Sequence, residues 1–458
     1  MVRVAEQTRR IWRRAASLGW PIAVQQFFNT LMRTVDIFVT GLFSPAAIAA
    51  VGIADLYAQF PLRVGLSFGT GAIALSSQDT GRGATVSRNR VISQALVLGF
   101  LCGVPLVVVG YLFSRPLIGV LGADAEVVRT GGRYLFILFA AAPMRIVGLV
   151  GIRSLQGTGD TQTPMVLNSA ASVLNILLTL TLGLGLWIAP ALGVVGVGIA
   201  TFTSRTAEAV SVVGVLASAR NDISLVWSRD ATIARQLIAV SLPNFAEGMS
   251  TSLARFPFNA ILLAFGTAPN AAYHVGRRIY QQLAAPFSRA LTTVASIIVG
   301  QTLGEGEPTR ARREARAILS LSLVVLGAVA AVLFVGARRL VYLFEQDPEV
   351  VGYAVSFTRV FAVSVVFMAV FYPLSGALRG AGDTRTPFYA RFLGSTVFLL
   401  GVSFALSIVA GYEVIGAYLG LGLSFACWAG VVAAGFVRGN WAGKAAAMIE
   451  ERSDVDSP

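Results

Sequence analysis

The chain has 458 residues, of which 55% are hydrophobic and 13% charged, with a mean hydropathy of +0.72. A soluble globular protein carries about 25% charged residues; the shortfall, with apolar runs of about twenty residues recurring from end to end, excludes an ordinary soluble fold. The net charge of +13 rests almost wholly on arginine, Lys444 being the sole lysine, and because the arginines lie between apolar runs they read as membrane topology signals, with no nucleic-acid partner expected.

In chain order, Arg3, Arg9, Arg10, Arg13 and Arg14 come first. The apolar span behind them is too long for a signal peptide and many more follow, so residues 1–17 are expected to be a basic cytoplasmic segment ahead of an uncleaved first helix. Twelve spans are predicted, at 18–43, 52–77, 92–113, 131–152, 165–188, 194–217, 236–263, 274–300, 317–336, 353–377, 388–410 and 415–437. Each is near the roughly 20 residues a bilayer requires. Lipid offers no partner to backbone polar groups, so runs of this length must be helices.

Alternate loops carry the arginines: Arg82, Arg88 and Arg90; then Arg220, Arg229 and Arg235; then Arg310, Arg312, Arg313 and Arg316. The intervening loops hold fewer, diluted by Asp124, Glu126, Glu345, Asp347 and Glu349. The positive-inside rule then predicts both termini in the cytoplasm of a multi-pass cell-membrane protein. Residues 18–217 form one six-helix lobe, 218–235 a basic linker, 236–437 a second lobe, and 438–458 a cytoplasmic tail expected to be disordered beyond Trp441. Cys102 and Cys427 both fall in spans, too deep for a disulfide or a metal site.

An internal repeat sets the architecture. Leu155–Pro164 (LQGTGDTQTP) recurs as Leu378–Pro387 (LRGAGDTRTP), and at the same displacement Gln78-Asp79-Thr80-Gly81 is echoed by Gln301-Thr302-Leu303-Gly304. Six helices per copy make the copies enter the membrane in the same direction, giving parallel repeats about the membrane normal. In the repeated loops, Pro164 and Pro387 suit the first turn of a helix with Thr163 and Thr386 as N-caps. Gly157, Gly159, Gly380 and Gly382 suit a tight turn.

Charged residues inside spans are functional candidates by default, since a carboxylate there costs about 2.5–3.5 kcal/mol on insertion scales. Asp36, in the first span, is the foremost; the bland alternative is an ion pair with Arg33, one turn earlier. Glu208 and Glu247 fit interfacial pairs or a cavity equally well. Arg63 and Arg145 could pair with Asp55. His274 is expected at the surface.

The doubled segments, with TVDIFVTGLFSPAAIAAVG in the first span, GTGAIALSSQDTGRG ending the second, NILLT in the fifth and GVVGVGIAT opening the sixth, resemble the multidrug and toxic compound extrusion (MATE) family along essentially the whole chain. The resemblance implies two six-helix bundles flanking a central cavity that opens alternately to either side. It also implies an ion site built from an Asp in the first helix, an Asn and an Asp four residues apart in the fifth, and a Thr in the sixth. Asp36, Asn175 and Thr201 match, whereas the second Asp is replaced by Thr179, which weakens sodium binding. The implied function is export of small amphipathic, cationic compounds by proton- or sodium-coupled antiport, by a monomer without a cofactor. A lipid or lipid-linked saccharide flippase of the same superfamily is the alternative, which intramembrane arginines would suit. An enzyme is not expected, for the chain shows no metal-ligand cluster, no Ser–His or Cys–His arrangement and no nucleotide-binding motif.

Overall fold

The structure, a computed structural model, describes residues 2–186, 190–218 and 222–456; Trp187 and Ile188 of the predicted fifth span, and Arg220 of the linker, lie outside the described residues. The chain is an all-α polytopic membrane protein. Its helices are α1 (Val2–Gly41), α2 (Pro45–Arg82), α3 (Thr85–Gly119), α4 (Ala125–Ala140), α5 (Ala142–Gly157), α6 (Gln162–Leu178), α7 (Val194–Leu216) and α8 (Ala231–Leu253). There follow α9 (Arg255–Leu263), α10 (Thr267–Leu283), α11 (Ala285–Gly304), α12 (Pro308–Tyr342), α13 (Pro348–Gly380), α14 (Arg385–Leu393), α15 (Glu413–Arg438) and α16 (Trp441–Asp456). α6 continues into a π-helical turn, Thr179–Gly183, and α14 into two more, Gly394–Val402 and Ala405–Val409. Over the described residues, each of the twelve predicted spans falls on one helix or on consecutive pieces of one.

Proline explains two of the breaks. α4 and α5 meet at 45°, and α10 and α11 at 49°. Pro143 and Pro286 sit in the first turn of the second piece each time, where proline's missing N–H and its ring prevent the preceding helix from continuing. Among the described residues, seven helices are long and apolar enough to cross a membrane, or nine when each bent pair is one span. The spans that fall short are α1, α7 and α8–α9, which carry Gln25, Asn29, Asp36, Arg205, Glu208 and Glu247. Hydropathy drops there because polar side chains have been placed inside the helix bundle.

The chain divides into two compact units: an amino-terminal unit of residues 24–241 with 451–458, and a carboxy-terminal unit of 1–23 with 242–450. The first is built around Val39, Ala54, Leu135 and Val197, the second around Phe258, Leu333, Phe357 and Phe371. In lipid the hydrophobic effect does not drive helices together, so close packing at small residues has to. Gly157 and Gly380, which occupy equivalent places in the repeat, are such positions. A Cβ at Gly157 would collide with Ser76 Oγ, and one at Gly380 with the Ser296 carbonyl. These two glycines therefore serve helix contact, of α5 on α2 and of α13 on α11, whereas the turns use Gly159 (φ +97°) and Gly382 (φ +80°).

Two further expectations are corrected. Thr163 and Thr386 are not the caps: Asp160 Oδ1 accepts the backbone N–H groups of Gln162 and Thr163, and Thr386 donates to Asp383 Oδ2 at 2.6 Å. An ionised carboxylate is the better acceptor at a helix start, where N–H groups are unpaired. The tail is not disordered either, for α16 runs from Trp441 to Asp456. Trp441 is buried, stacks on Phe436 at 5.2 Å and donates to its carbonyl, giving the helix a packed start that charge content did not reveal.

Candidate functional site

Three helices of the amino-terminal unit each carry one polar stripe. On α1 it is Asn29 and Asp36; on α6 and its π turn, Asn168, Asn175 and Thr179; on α7, Thr201, Ser204, Arg205 and Glu208. Spacings of three, four and seven residues keep each set on one helix face. The stripes meet in two clusters.

The first holds the four residues singled out in sequence. Thr179 Oγ1 donates to Asp36 Oδ1 at 2.9 Å. One turn before Thr179, the Asn175 amide donates to Thr201 Oγ1 at 3.3 Å and to Ser204 Oγ at 3.2 Å. Asn175 and Thr179 are wholly buried. Asn175 Oδ1 has no hydrogen-bond partner among the described residues, a costly arrangement for a buried carbonyl oxygen. A carboxylate, two hydroxyls and an unpaired amide oxygen thus stand together, and Thr179 opens the π turn. Such turns recur at functional sites, because the extra residue redirects side chains. Arg205, Asp55 and Arg33 are the charged groups felt at Asp36, and Asp55 itself faces Arg33 and Arg145.

The second cluster was missed. Asn29 donates to Asn168 Oδ1 at 2.9 Å, and Asn168 to Glu208 Oε1 at 2.5 Å. Glu208 Oε2 accepts from Arg205 at 2.8 Å. Glu208 is buried and paired. Its signal was the Arg205-to-Glu208 spacing on the same face as Thr201.

In the carboxy-terminal unit Glu247 is also buried. Arg379 Nη2 reaches its carboxylate at 2.8 Å and Arg391 Nε at 2.9 Å. The Arg391 guanidinium lies 4.7 Å from the Trp428 ring centre and 5.0 Å from that of Phe371. Neither arginine was noted in sequence. The repeat could have found them, because they stand where the first copy has Gln156 and Asn168. Asn259, on α9, keeps a buried Oδ1 without a hydrogen-bond partner among the described residues. His274 is exposed, as expected.

Comparison with known proteins places the chain in a family and agrees with its fold. The MatE family profile matches residues 21–181 and again 243–400, so the two halves are recognised as two copies of one unit. A probable multidrug resistance protein of Bacillus subtilis, YoeA, is 23% identical over 91% of this chain and 91% of its own length. The probable multidrug resistance protein NorM of Thermotoga maritima is 23% identical over 98% and 96%. A crystal structure of MATE in the bent conformation superposes with a TM-score of 0.87 at 20% identity, covering 97% of both chains.

Proposed function

The chain belongs to the MatE family, and on that premise we propose that it exports small amphipathic organic cations by antiport against a proton or sodium ion, with Asp36 as the coupling group. The observation that carries this reading is the Asp36–Thr179 contact beside the unpartnered Asn175 Oδ1. A carboxylate in a span is costly while charged and unpaired, so taking up a cation stabilises it. The relatives are named as multidrug resistance proteins, which disfavours the flippase alternative. The arginine-rich loops support a cell-membrane protein with both termini cytoplasmic.

The donor set suits a proton at least as well as sodium. The Thr179 hydroxyl spends its hydrogen on Asp36 and the Thr201 hydroxyl donates to the Val197 carbonyl. Both keep lone pairs, which with Asp36 and Asn175 Oδ1 could surround a small hard cation. Only one negative charge would neutralise it, because Thr179 stands where the family carries a second Asp. A proton requires only the titratable oxygen. Binding of either ion at Asp36 biases an equilibrium between inward-open and outward-open states, provided the two states differ in affinity for it.

The test is substrate-dependent ion flux in proteoliposomes holding the purified protein. Proton uptake coupled to organic-cation release at clamped sodium is the expected result. Release without movement of either ion would overturn the antiport.

A further inference from the structure

α3 carries Arg88 and Arg90 near its start, and residues 91–114 that follow hold no charge. That stretch is long enough to cross a bilayer, which places a membrane edge near Arg90. The segment ahead of α8 returns to this edge within the amino-terminal unit. Residues 223–230 form neither helix nor strand, and side chains of α3 hold them. Ser93 Oγ accepts the Val226 N–H at 3.0 Å, and the Gln94 amide donates to the Ser228 carbonyl at 3.1 Å and to the Asp230 carbonyl at 3.0 Å. Arg88 donates to the Asp222 carbonyl. Irregular backbone beside lipid persists only where protein satisfies its polar groups, and these side chains do so.

Between α3, the end of α7 and this segment lies an open groove of about 580 Å³. Its walls include Leu96, Phe100 and Leu101 of α3, Val213 of α7, and Leu225 and Trp227 of the segment. Phe100, Leu101, Leu225 and Trp227 are exposed, Trp227 by 71%. Apolar surface left open to water costs about 25 cal/mol per Å², whereas an acyl chain covers it without that cost. Tryptophan, with an apolar ring and a polar N–H, is the residue type of the membrane–water boundary.

A cation stands at the same wall. The Arg229 guanidinium lies 5.7 Å from the Trp227 ring centre, and Arg229 is exposed. Among the described residues it forms no salt bridge. The neighbouring Asp230 is turned to α8 instead, where its Oδ1 accepts the N–H groups of Thr232 and Ile233 at 2.7 and 3.3 Å. A planar guanidinium at the mouth of an apolar groove, level with a membrane edge, has the layout of a phosphate above an acyl chain. A zwitterionic headgroup brings its own cation and gains less there than an acidic one.

We propose that this groove binds one acyl chain of an acidic phospholipid, whose headgroup phosphate sits on Arg229. The site requires only that the chain spans a membrane, and is independent of the ion coupled at Asp36.

The test uses the full chain in phosphatidylcholine nanodiscs, with dibrominated phosphatidylglycerol or dibrominated phosphatidylcholine added at equal mole fraction. Bromine quenches tryptophan on contact, and the difference between the wild-type protein and Trp227→Phe isolates Trp227. Its quenching should be at least threefold stronger with the acidic lipid, and Arg229→Gln should bring that ratio close to one. Glycerol 3-phosphate, which has the headgroup charge and no chain, should leave the quenching unchanged. Equal quenching by both lipids in the wild-type protein would reduce the groove to ordinary lipid contact and overturn the proposal, as would a ratio that survives Arg229→Gln. Absence of quenching by either lipid would show the groove closed to chains, and relief by glycerol 3-phosphate would replace the lipid with a free anion; each overturns it too.

Discussion

The polar centres of the two units occupy corresponding places in the repeat and are built from opposite chemistry. In the amino-terminal unit Gln25 accepts from Gln156 at 3.3 Å, and Asn168 bridges Asn29 and Glu208. In the carboxy-terminal unit Glu247, four residues after Pro243 as Gln25 is four after Pro21, binds Arg379 and Arg391, the repeat counterparts of Gln156 and Asn168. Three amides have become a carboxylate and two guanidiniums. Amides can exchange partners without leaving a bare charge, whereas a buried ion pair resists rearrangement because any separated partner is left uncompensated. One scaffold can therefore hold an amide network beside a single Arg205–Glu208 pair in one copy and a carboxylate clamped by two guanidiniums in the other.

The largest effect that would break this comparison is at Asp36. Asp36→Asn should reduce gradient-driven export to the leak rate, roughly 1000-fold or ~4 kcal/mol, while the protein stays folded and binds substrate. Full export by this variant in proteoliposomes would move the coupling chemistry elsewhere.

Glu247→Gln strands two guanidiniums and should cost about 3–5 kcal/mol, read as a loss of thermal stability. The triple change Glu247→Gln, Arg379→Gln and Arg391→Asn copies the amides of the other unit. It should recover more than half of that loss, and a triple variant less stable than the single one would show that the clamp has a further role.

Packing offers a second contrast. At Gly380 an added Cβ meets a backbone carbonyl, whereas at Gly157 the nearest atom is the Ser76 hydroxyl, which can turn away, with the Ile73 carbonyl at 3.2 Å. Gly380→Ala should therefore cost more than Gly157→Ala, within the roughly 1–3 kcal/mol typical of overpacking. Chemical denaturation of the two variants in parallel would decide it.

Thr179→Asp restores the carboxylate that the amino-terminal centre lacks and should tighten sodium binding about tenfold, near 1.4 kcal/mol. Sodium-driven export at clamped pH measures it, and an unchanged sodium dependence would remove Thr179 from the ion site.

The smallest effect concerns the tail. A hydrogen bond from Gln236, with Arg235 nearby, holds the Glu451 carboxyl below the usual range. A depressed folded value stabilises docking above the unfolded pKa, and the gain is lost as pH falls through the folded one. Tail docking should thus weaken slightly on acidification, modestly because Glu451 is exposed and screened. Protease access to α16 across that range would show it.

Much of this was legible in the chain alone. Length and hydropathy dictated helices, because lipid satisfies no backbone group, and the GDT-x-T-P repeat dictated two parallel copies. Asp36 was legible because a carboxylate between Val35 and Ile37 has no cheap explanation in a membrane. Asn175, Thr179 and Thr201 came through likeness to a family, since neutral polar residues are common in spans and carry little signal singly.

Tertiary structure decided what composition could not. Which groups satisfy Glu208 and Glu247 depended on partners far along the chain, Asn168 in one case, Arg379 and Arg391 in the other. Whether the charged tail was ordered depended on Arg452, near the end of the chain, finding Asp79 in its first quarter. Local sequence determines which groups must be satisfied, and only the packed helices determine which distant group does so, because a hydrogen bond reads distance and angle and is blind to position along the chain.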